Sequence, residues 1–242
     1  YAHNKVLEYD EPDFQKYPNI SRVGHSVDQQ LLYIAERLFI DDSEVQRNPK
    51  QNLGGWVSGG DIKYKNLPDV NGNYDNVIDS NDRQYTGMPT TPEIVYGFGP
   101  SFRYKKFDFS FFFQGAARVS IMMNGIHPFG AEGTRNVLQF IADDYWSETN
   151  QNIYAEYPRL SKRDNENNTK ASTYWQRNGA FLKLKNLEVG FNHKFFRVYL
   201  RGSNLLTFSP FKYWDPEMGS GSGLSYPTQR VFNVGVQFSI NK

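Results

Sequence analysis

Between Glu93 and Arg118 the chain alternates apolar and polar residues with strict period two. Ile94, Tyr96, Phe98, Phe102 and Tyr104 fall on one side of an extended segment; Val95, Gly97, Gly99, Ser101 and Arg103 fall on the other. After a tight turn at Lys105-Lys106, Phe107, Phe109, Phe111 and Phe113 alternate with Asp108, Ser110, Phe112 and Gln114. The pattern predicts a hairpin with one aromatic face and one small or polar face. A soluble sheet buries its apolar face under a second layer, whereas a membrane barrel turns that face to lipid and its polar face to a wet lumen. Alternation alone leaves both open.

The same period returns near the C-terminus. Phe181–His193 reads as a strand whose phase changes between Leu184 and Leu187, which predicts a bulge near Asn186. A tight turn at Lys194 leads to a strand running from Phe196 to Phe208. Arg230–Ile240 alternates again, with Phe232, Val234, Val236, Phe238 and Ile240 on one face. Residues 1–10 read as the end of another strand, and Gly24–Ile40 fits a strand or a short helix. Thr134 is an N-cap candidate for a helix carrying Val137, Leu138, Ile141 and Tyr145. Ser161–Ser172 is polar and reads as a mobile tip.

Three long irregular excursions separate these elements, at 41–92, 122–179 and 209–228. They alternate with the tight turns near 105–106 and 193–195, so an up-and-down sheet puts short connections at one end and long ones at the other. Outer-membrane barrels sort their loops this way, and a sandwich has no reason to.

Composition narrows the field. The 242 residues suffice for one large all-β domain or part of something larger. Mean hydropathy is -0.66, and no apolar run approaches the roughly 20 residues of a membrane helix; a barrel escapes that test because half of each strand is polar. A net charge of +1 gives no argument for nucleic acid. The absence of cysteine excludes disulfides and thiolate metal sites. The chain begins with Tyr1, which reads as a processed or excerpted piece.

Several quoted segments, taken in order, carry a resemblance. NKVLEYDEP precedes SRVGHS and YIAERLFID; GGDIKYKN precedes VIDSNDR; TPEIVYGFGPSFRYKKFDFSFFFQGAA, EYPRLS, FLKLKNLEVGFN, LRGSNLLTFSPFKYWDPE and YPTQRVFNVGVQFSI follow. This ordered set resembles the C-terminal portion of SusC/RagA-type TonB-dependent outer-membrane transporters, and it covers essentially the whole chain. The resemblance implies an all-β, antiparallel up-and-down transmembrane barrel of 22 strands around an N-terminal plug, of which this chain holds the last strands and no plug. It implies a Gram-negative outer membrane, import of oligosaccharides or peptides, a SusD-like lipoprotein lid, and coupling to TonB through the missing N-terminal part. The alternative from a different class is a secreted, soluble β-sandwich that binds carbohydrate.

Two groups of residues carry candidate chemistry. Aromatics in the long loops suit stacking on sugars, with polar neighbours to orient them: Trp56, Tyr64, Trp146, Tyr157, Trp175, Tyr213 and Trp214, with Arg159, Arg177 and Asp215. The competing role for each is packing within the loops or marking the membrane interface. Asp69, Asn71, Asp75, Asp79 and Asp82 give the alternating oxygen donors that calcium favours. Asn73-Tyr74 interrupts that pattern, and Asx turns account equally well for these residues. Enzyme signatures are missing: the four histidines are scattered, GSGSG lacks a nucleophile elbow, and Gly97-x-Gly99 lies within a strand.

Overall fold

The computed structural model describes residues 1–123, 137–161 and 165–239. They fall into two compact units, one of residues 4–87 and 123–176, the other of residues 1–3, 88–122 and 177–242.

The first unit is built from short pieces. Strand β1 (Gln30–Tyr33) pairs antiparallel with β6 (Arg83–Thr86), and β2 (Ala35–Leu38) pairs antiparallel with β4 (Ile62–Tyr64). The two-residue strands β3 (Lys50–Gln51) and β5 (Val77–Ile78) pair in parallel. Helix α1 (Asp42–Arg47) follows β2, and α2 (Gln139–Asp143) and α3 (Glu166–Thr169) come from the later excursion. Leu32, Leu38, Phe39, Ile62, Tyr64, Ile78, Ile141, Tyr157 and Trp175 form the core.

Four expectations change here. Residues 1–10 hold no strand; Val6 makes two backbone bonds, to His25 and Gly24, and nothing extends them. Gly24–Ile40 becomes two short strands broken at Ile34, because each finds a different partner. The helix behind Val137 starts at Gln139 with Leu138 as its cap residue; Thr134 lies outside the described residues. The polar stretch expected as a mobile tip carries α3 instead. Asn165, Asn167 and Asn168 are buried there because their amides are bonded: Asn165 donates to Asp61 Oδ1 at 3.0 Å, Asn167 donates to Ile62 O and Asn168 Oδ1 accepts from Ile62 N, both at 2.9 Å.

The second unit is one open antiparallel sheet. Its strands are β7 (Ile94–Phe98), β8 (Ser101–Tyr104), β9 (Phe107–Ala117), β12 (Phe181–Asn192), β13 (Phe196–Phe208) and β14 (Val231–Phe238). The three-residue strands β10 (Ser120–Met122) and β11 (Gln176–Asn178) bracket the long excursion between β9 and β12. The order β14-β13-β12-β9 ends on β7 and β8, which both pair with β9. Within this sheet the strands follow one another in chain order, with only β10 and β11 intervening between β9 and β12, so it is an up-and-down meander.

Register fixes the faces. Phe107 stands opposite Phe191, Phe109 opposite Val189, Phe111 opposite Leu187 and Phe113 opposite Leu184. The shift between Leu184 and Asn186 leaves Lys185 unmatched, as the phase change predicts. On β13 and β14 the same face continues through Val198–Val236, Leu200–Val234 and Phe196–Phe238. This face is apolar from edge to edge and exposed: Phe102 is 58 %, Phe208 56 %, Val234 76 % and Phe238 76 % accessible.

The other face is polar and tied together by charge. Arg197 Nη2 bonds Asp108 at 2.5 Å and Glu188 at 2.7 Å; Arg201 Nε bonds Glu188 at 2.7 Å. Phe112, which like Tyr199 is aromatic on this side, has its ring over two glycines. A Cβ at Gly97 or Gly99 would come within 2.8 Å of it, so the ring fills space that the glycines leave open.

The tight turns lie together. Asn192 N bonds Lys106 O at 2.6 Å, and Ser239 N bonds Phe195 O at 3.0 Å. The long connections leave from the opposite end, after Ala117 and Phe208 and before Phe181 and Val231. Lys105 takes φ +54° to close the first turn.

Candidate functional site

Three of the aromatic and cationic candidates converge in the first unit. Trp56, Trp146 and Arg159 line one cleft of about 460 Å³ with Asp41, Asp42, Ser58, Gly59, Glu148 and Gln151.

Its wall is set by local backbone rules. Asp41 caps α1, its carboxylate accepting from Glu44 N at 2.8 Å. Glu44 folds back to accept from Ile40 N at 2.9 Å and from Arg37 at 2.5 and 3.0 Å, and Lys63 adds a bond at 3.1 Å. Hydrogen bonds from Arg37 hold the Glu44 carboxyl at about 2, against the opposing effect of burial. Asp42 accepts from Ser58 Oγ at 2.5 Å and Gly59 N at 2.8 Å, which joins the helix to the Ser58–Asp61 turn. Two glycines make that junction possible. A Cβ at Gly59 would lie 2.8 Å from Asp41 Cα, and one at Gly60 would lie 2.2 Å from the Trp146 ring, where φ is also +80°.

The floor is a buried charge pair. Asp61 is fully enclosed. Arg159 Nη2 donates to its Oδ2 at 3.0 Å, and Arg159 Nε lies 2.8 Å from Oδ1. Asn165 and Asn168 donate to Oδ1 at 3.0 and 2.8 Å, and Ser58 N donates to Oδ2 at 2.8 Å. Burial pushes the Asp61 carboxyl up, and Arg159 opposes it. The network fixes the Arg159 guanidinium, which lies 4.0 Å above the Trp56 ring. Trp56 itself is 53 % exposed.

The other candidates take structural positions. Trp175 is only 2 % exposed, and its indole N–H donates to Asn168 O at 2.7 Å. Tyr157 packs on it with ring centres 5.6 Å apart, and the Tyr64 hydroxyl donates to Asn167 O at 2.7 Å. These three rings form interior packing, which their spacing in sequence could not separate from a binding platform.

Tyr213, Trp214 and Asp215 belong to the second unit. Trp214 stacks edge-on against Phe211 at 4.6 Å, covers Gly223 and donates to Gly219 O at 3.0 Å. Arg177 lies 5.9 Å over the Tyr213 ring. Asp215 caps the 3-10 turn Pro216–Met218 and accepts from Lys183. Lys183 also bonds Glu217 at 2.7 Å, and Lys185 bonds Glu217 at 2.9 Å. The 209–228 connection is thus strapped to the polar face at the bulge of β12. Sequence reading had no signal for these lysines, because their partners lie some thirty residues away.

In the 69–82 stretch the carboxylates serve the backbone. Asp69 accepts from Asn71 N and Asn73 N, both at 2.9 Å, and Asp75 accepts from Val77 N at 3.0 Å. Asp79 and Asp82 form a reciprocal capping box, and Asp82 also accepts from Leu67 N at 2.6 Å. Asn71 contributes its backbone N–H to this turn. Among the described residues no three carboxylate or imidazole groups converge as a metal centre requires. Asp69, Asp75, Asp79 and Asp82 are engaged in turns and caps.

No family model matches the chain. It is 30 % identical over 191 residues to the TonB-dependent receptor P3 of Formosa agariphila, covering 69 % of this chain and 18 % of that protein. It is 28 % identical to TonB-dependent receptor P26 of the same organism, covering 96 % of this chain and 26 % of the other. The chain therefore spans about a quarter or less of these curated relatives. Among solved structures it resembles the RagAB peptide importer in its open-open state, with TM-score 0.64, 19 % identity, and coverage of 96 % of this chain and 24 % of that one. A second structure, titled as the RagAB peptide transporter, gives TM-score 0.62 at 21 % identity, with 96 % and 25 % covered. Sequence makes this chain a homologue of a part of the TonB-dependent receptors, and its fold is that of the matching part of the RagAB structures.

Proposed function

We propose that this chain is the C-terminal stretch of the barrel of a TonB-dependent importer in a Gram-negative outer membrane. The observation that carries the reading is the sheet's inverted polarity. Its accessible face is phenylalanine, valine and leucine, and its other face holds Arg197, Arg201, Asp108 and Glu188 in ion pairs. Water on the apolar side would leave a patch far larger than soluble monomers carry. Lipid on that side and a wet lumen on the other satisfy both faces. A soluble sandwich would need a second layer over Phe102, Phe208 and Val234, and these are open.

In this reading the six strands of the open sheet are wall, the tight turns at 105–106 and 193–195 face the periplasm, and the excursions 41–92, 122–179 and 209–228 face outward. The remaining strands of a 22-stranded barrel and the plug belong to the rest of the transporter. Substrate, an oligosaccharide or peptide, is captured between the outer loops and a SusD-like lipoprotein lid. TonB pulls on the plug to open the lumen. The work is binding and gating, with no covalent step and no nucleic-acid partner.

Deletion of the gene should abolish growth on one class of oligosaccharide or peptide supplied as sole carbon source. Growth unchanged on every substrate of a broad panel sinks the importer reading. A cysteine placed at Val234 should be shielded from a membrane-impermeant maleimide in intact outer membranes. Free labelling there argues against lipid contact.

A further inference from the structure

We infer that Asn71, in the Asn71-Gly72 step of the first unit, is a self-modification site: its side-chain amide leaves as ammonia and the residue becomes aspartate or isoaspartate. The inference stands apart from the importer reading, and its co-reactant is water.

The chemistry is local. The backbone nitrogen of the following residue attacks the asparagine Cγ. An N–Cγ bond forms, the bond from Cγ to the side-chain nitrogen breaks, and ammonia departs with the proton that the backbone nitrogen gives up. A five-membered succinimide remains. Water opens it at either carbonyl, giving aspartate, or isoaspartate, in which the main chain runs through the side-chain carbons. A following glycine favours the attack, because no Cβ crowds the nitrogen.

The described residues hold two such steps, and the structure separates them. Asn71 and Gly72 are both exposed. Gly72 has φ +83°, and among the described residues nothing lies within 4 Å of where its Cβ would stand. The Gly72 N–H bonds Asp69 O at 3.0 Å, a single bond in a surface turn, and such bonds open locally at small cost. Gly179, which follows Asn178, is buried instead. Its N–H bonds Val119 O at 2.9 Å, a Cβ there would lie 2.8 Å from Ile121, and Asn178 Oδ1 accepts from Ala180 N at 3.0 Å. Attacking nitrogen and target amide are both held, so the fold protects Asn178. Asn124-Gly125 lies outside the described residues.

Modification alters the turn it occurs in. Asp69 accepts from Asn71 N and Asn73 N at once, both at 2.9 Å. Aspartate at 71 sets a second negative charge beside that carboxylate. Isoaspartate adds a main-chain carbon between the two N–H groups, so one carboxylate no longer spans them. The turn is docked through Val70 N to Lys16 O at 2.9 Å, and residues 69–73 should loosen from that segment.

The test incubates the full-length transporter in detergent, at mildly alkaline pH, in water labelled with heavy oxygen. Mass spectrometry of the tryptic fragment 66–83, with an isoaspartate-specific carboxyl methyltransferase as a second readout, follows Asn71. Label and methylatable isoaspartate should appear at Asn71 while Asn178 stays asparagine. In urea both should convert at similar rates. Asn71→Gln, at an exposed position, should keep the fold and lose the isoaspartate signal of that fragment. Hydrogen exchange in 69–73 should quicken several-fold in the converted protein. The inference is overturned if Asn71 survives in the folded transporter yet converts in urea, or if Asn178 converts as fast as Asn71 without urea. A fragment signal that persists in Asn71→Gln overturns it too, and unchanged exchange in 69–73 after conversion overturns the loosening.

Discussion

Replacing Phe111 by arginine is the sharpest probe of the proposed lipid-facing side. Strand β9 has 11 residues, about 37 Å at ~3.4 Å per residue. A tilt of about 35–45° reduces its rise to roughly 26–30 Å, close to the thickness of the apolar band. Phe112 is the middle residue, so Phe111 lies within about 3 Å of the midplane. It faces the apolar side between Phe109 and Phe113, each with ring centres 5.7 Å away, and opposite Leu187. An arginine there costs about 2–4 kcal/mol, a change of roughly 30- to 900-fold in the folded fraction. Ser110 is the control, one residue away on the opposite face. It pairs with Ser101 and Glu188, so Ser110→Arg gains a carboxylate neighbour and should change stability by less than about 1 kcal/mol. Urea titration of the full-length transporter in lipid vesicles, read as unheated gel mobility, measures both. Equal losses for the two variants, or a larger loss at Ser110, would refute the assignment of faces.

Three further outcomes follow from the geometry. Gly60→Ala should displace Trp146, since φ is +80° and the new Cβ would lie 2.2 Å from the ring. The cost is on the order of 2 kcal/mol, read as a lower melting temperature and a red-shifted tryptophan emission; an unshifted spectrum would contradict it. Glu44 has its pKa lowered from 4.5 to about 2, so its stabilising effect is complete above about pH 4.5 and disappears as pH falls through about 2. Glu44→Gln should therefore speed hydrogen exchange in 40–48 at pH 6, with the gap to the parent narrowing toward pH 2; a gap that widens on acidification would show the sign to be wrong. Lys183→Met should free the 209–228 connection, because Asp215 loses its lysine and Glu217 loses one of its two. Cleavage by chymotrypsin within that connection should rise several-fold, and an unchanged rate would show that the lysine is not the strap.

How much of this was legible in advance depended on the length scale of the signal. Period-two alternation in 93–118, 181–208 and 230–240 carried the strands and their faces, because each residue's side follows from its neighbours alone. Even the break near Asn186 showed as a change of phase. The first unit resisted for the opposite reason. Its strands are two to four residues long, too short for a period, and pair with segments tens of residues away. Trp56 and Trp175 illustrate the limit within the site. Both are loop tryptophans in sequence, yet one is half exposed and the other interior, and the difference comes from Tyr157 and Asn168, which no local pattern links to either. Likewise Asp69–Asp82 offered alternating oxygens in sequence, and in the structure these accept from backbone N–H groups of their own turns.

The unmatched Lys185 has a consequence beyond re-aiming two lysines. Between Phe113 and Phe112, β9 has no intervening residue; β12 has one in the corresponding gap, and β13 has two, Asn204 and Leu205. Asn204 takes φ +55° there. Across two strand steps the pairing thus slides by two residues, roughly 7 Å along the strands. A closed barrel needs such sliding to accumulate around its circumference, since shear and strand number together set tilt and diameter. In the proposed barrel, removing Lys185 would reset the local pitch of the sheet, so its effect should be felt in how the cylinder closes as well as in the two salt bridges beside it.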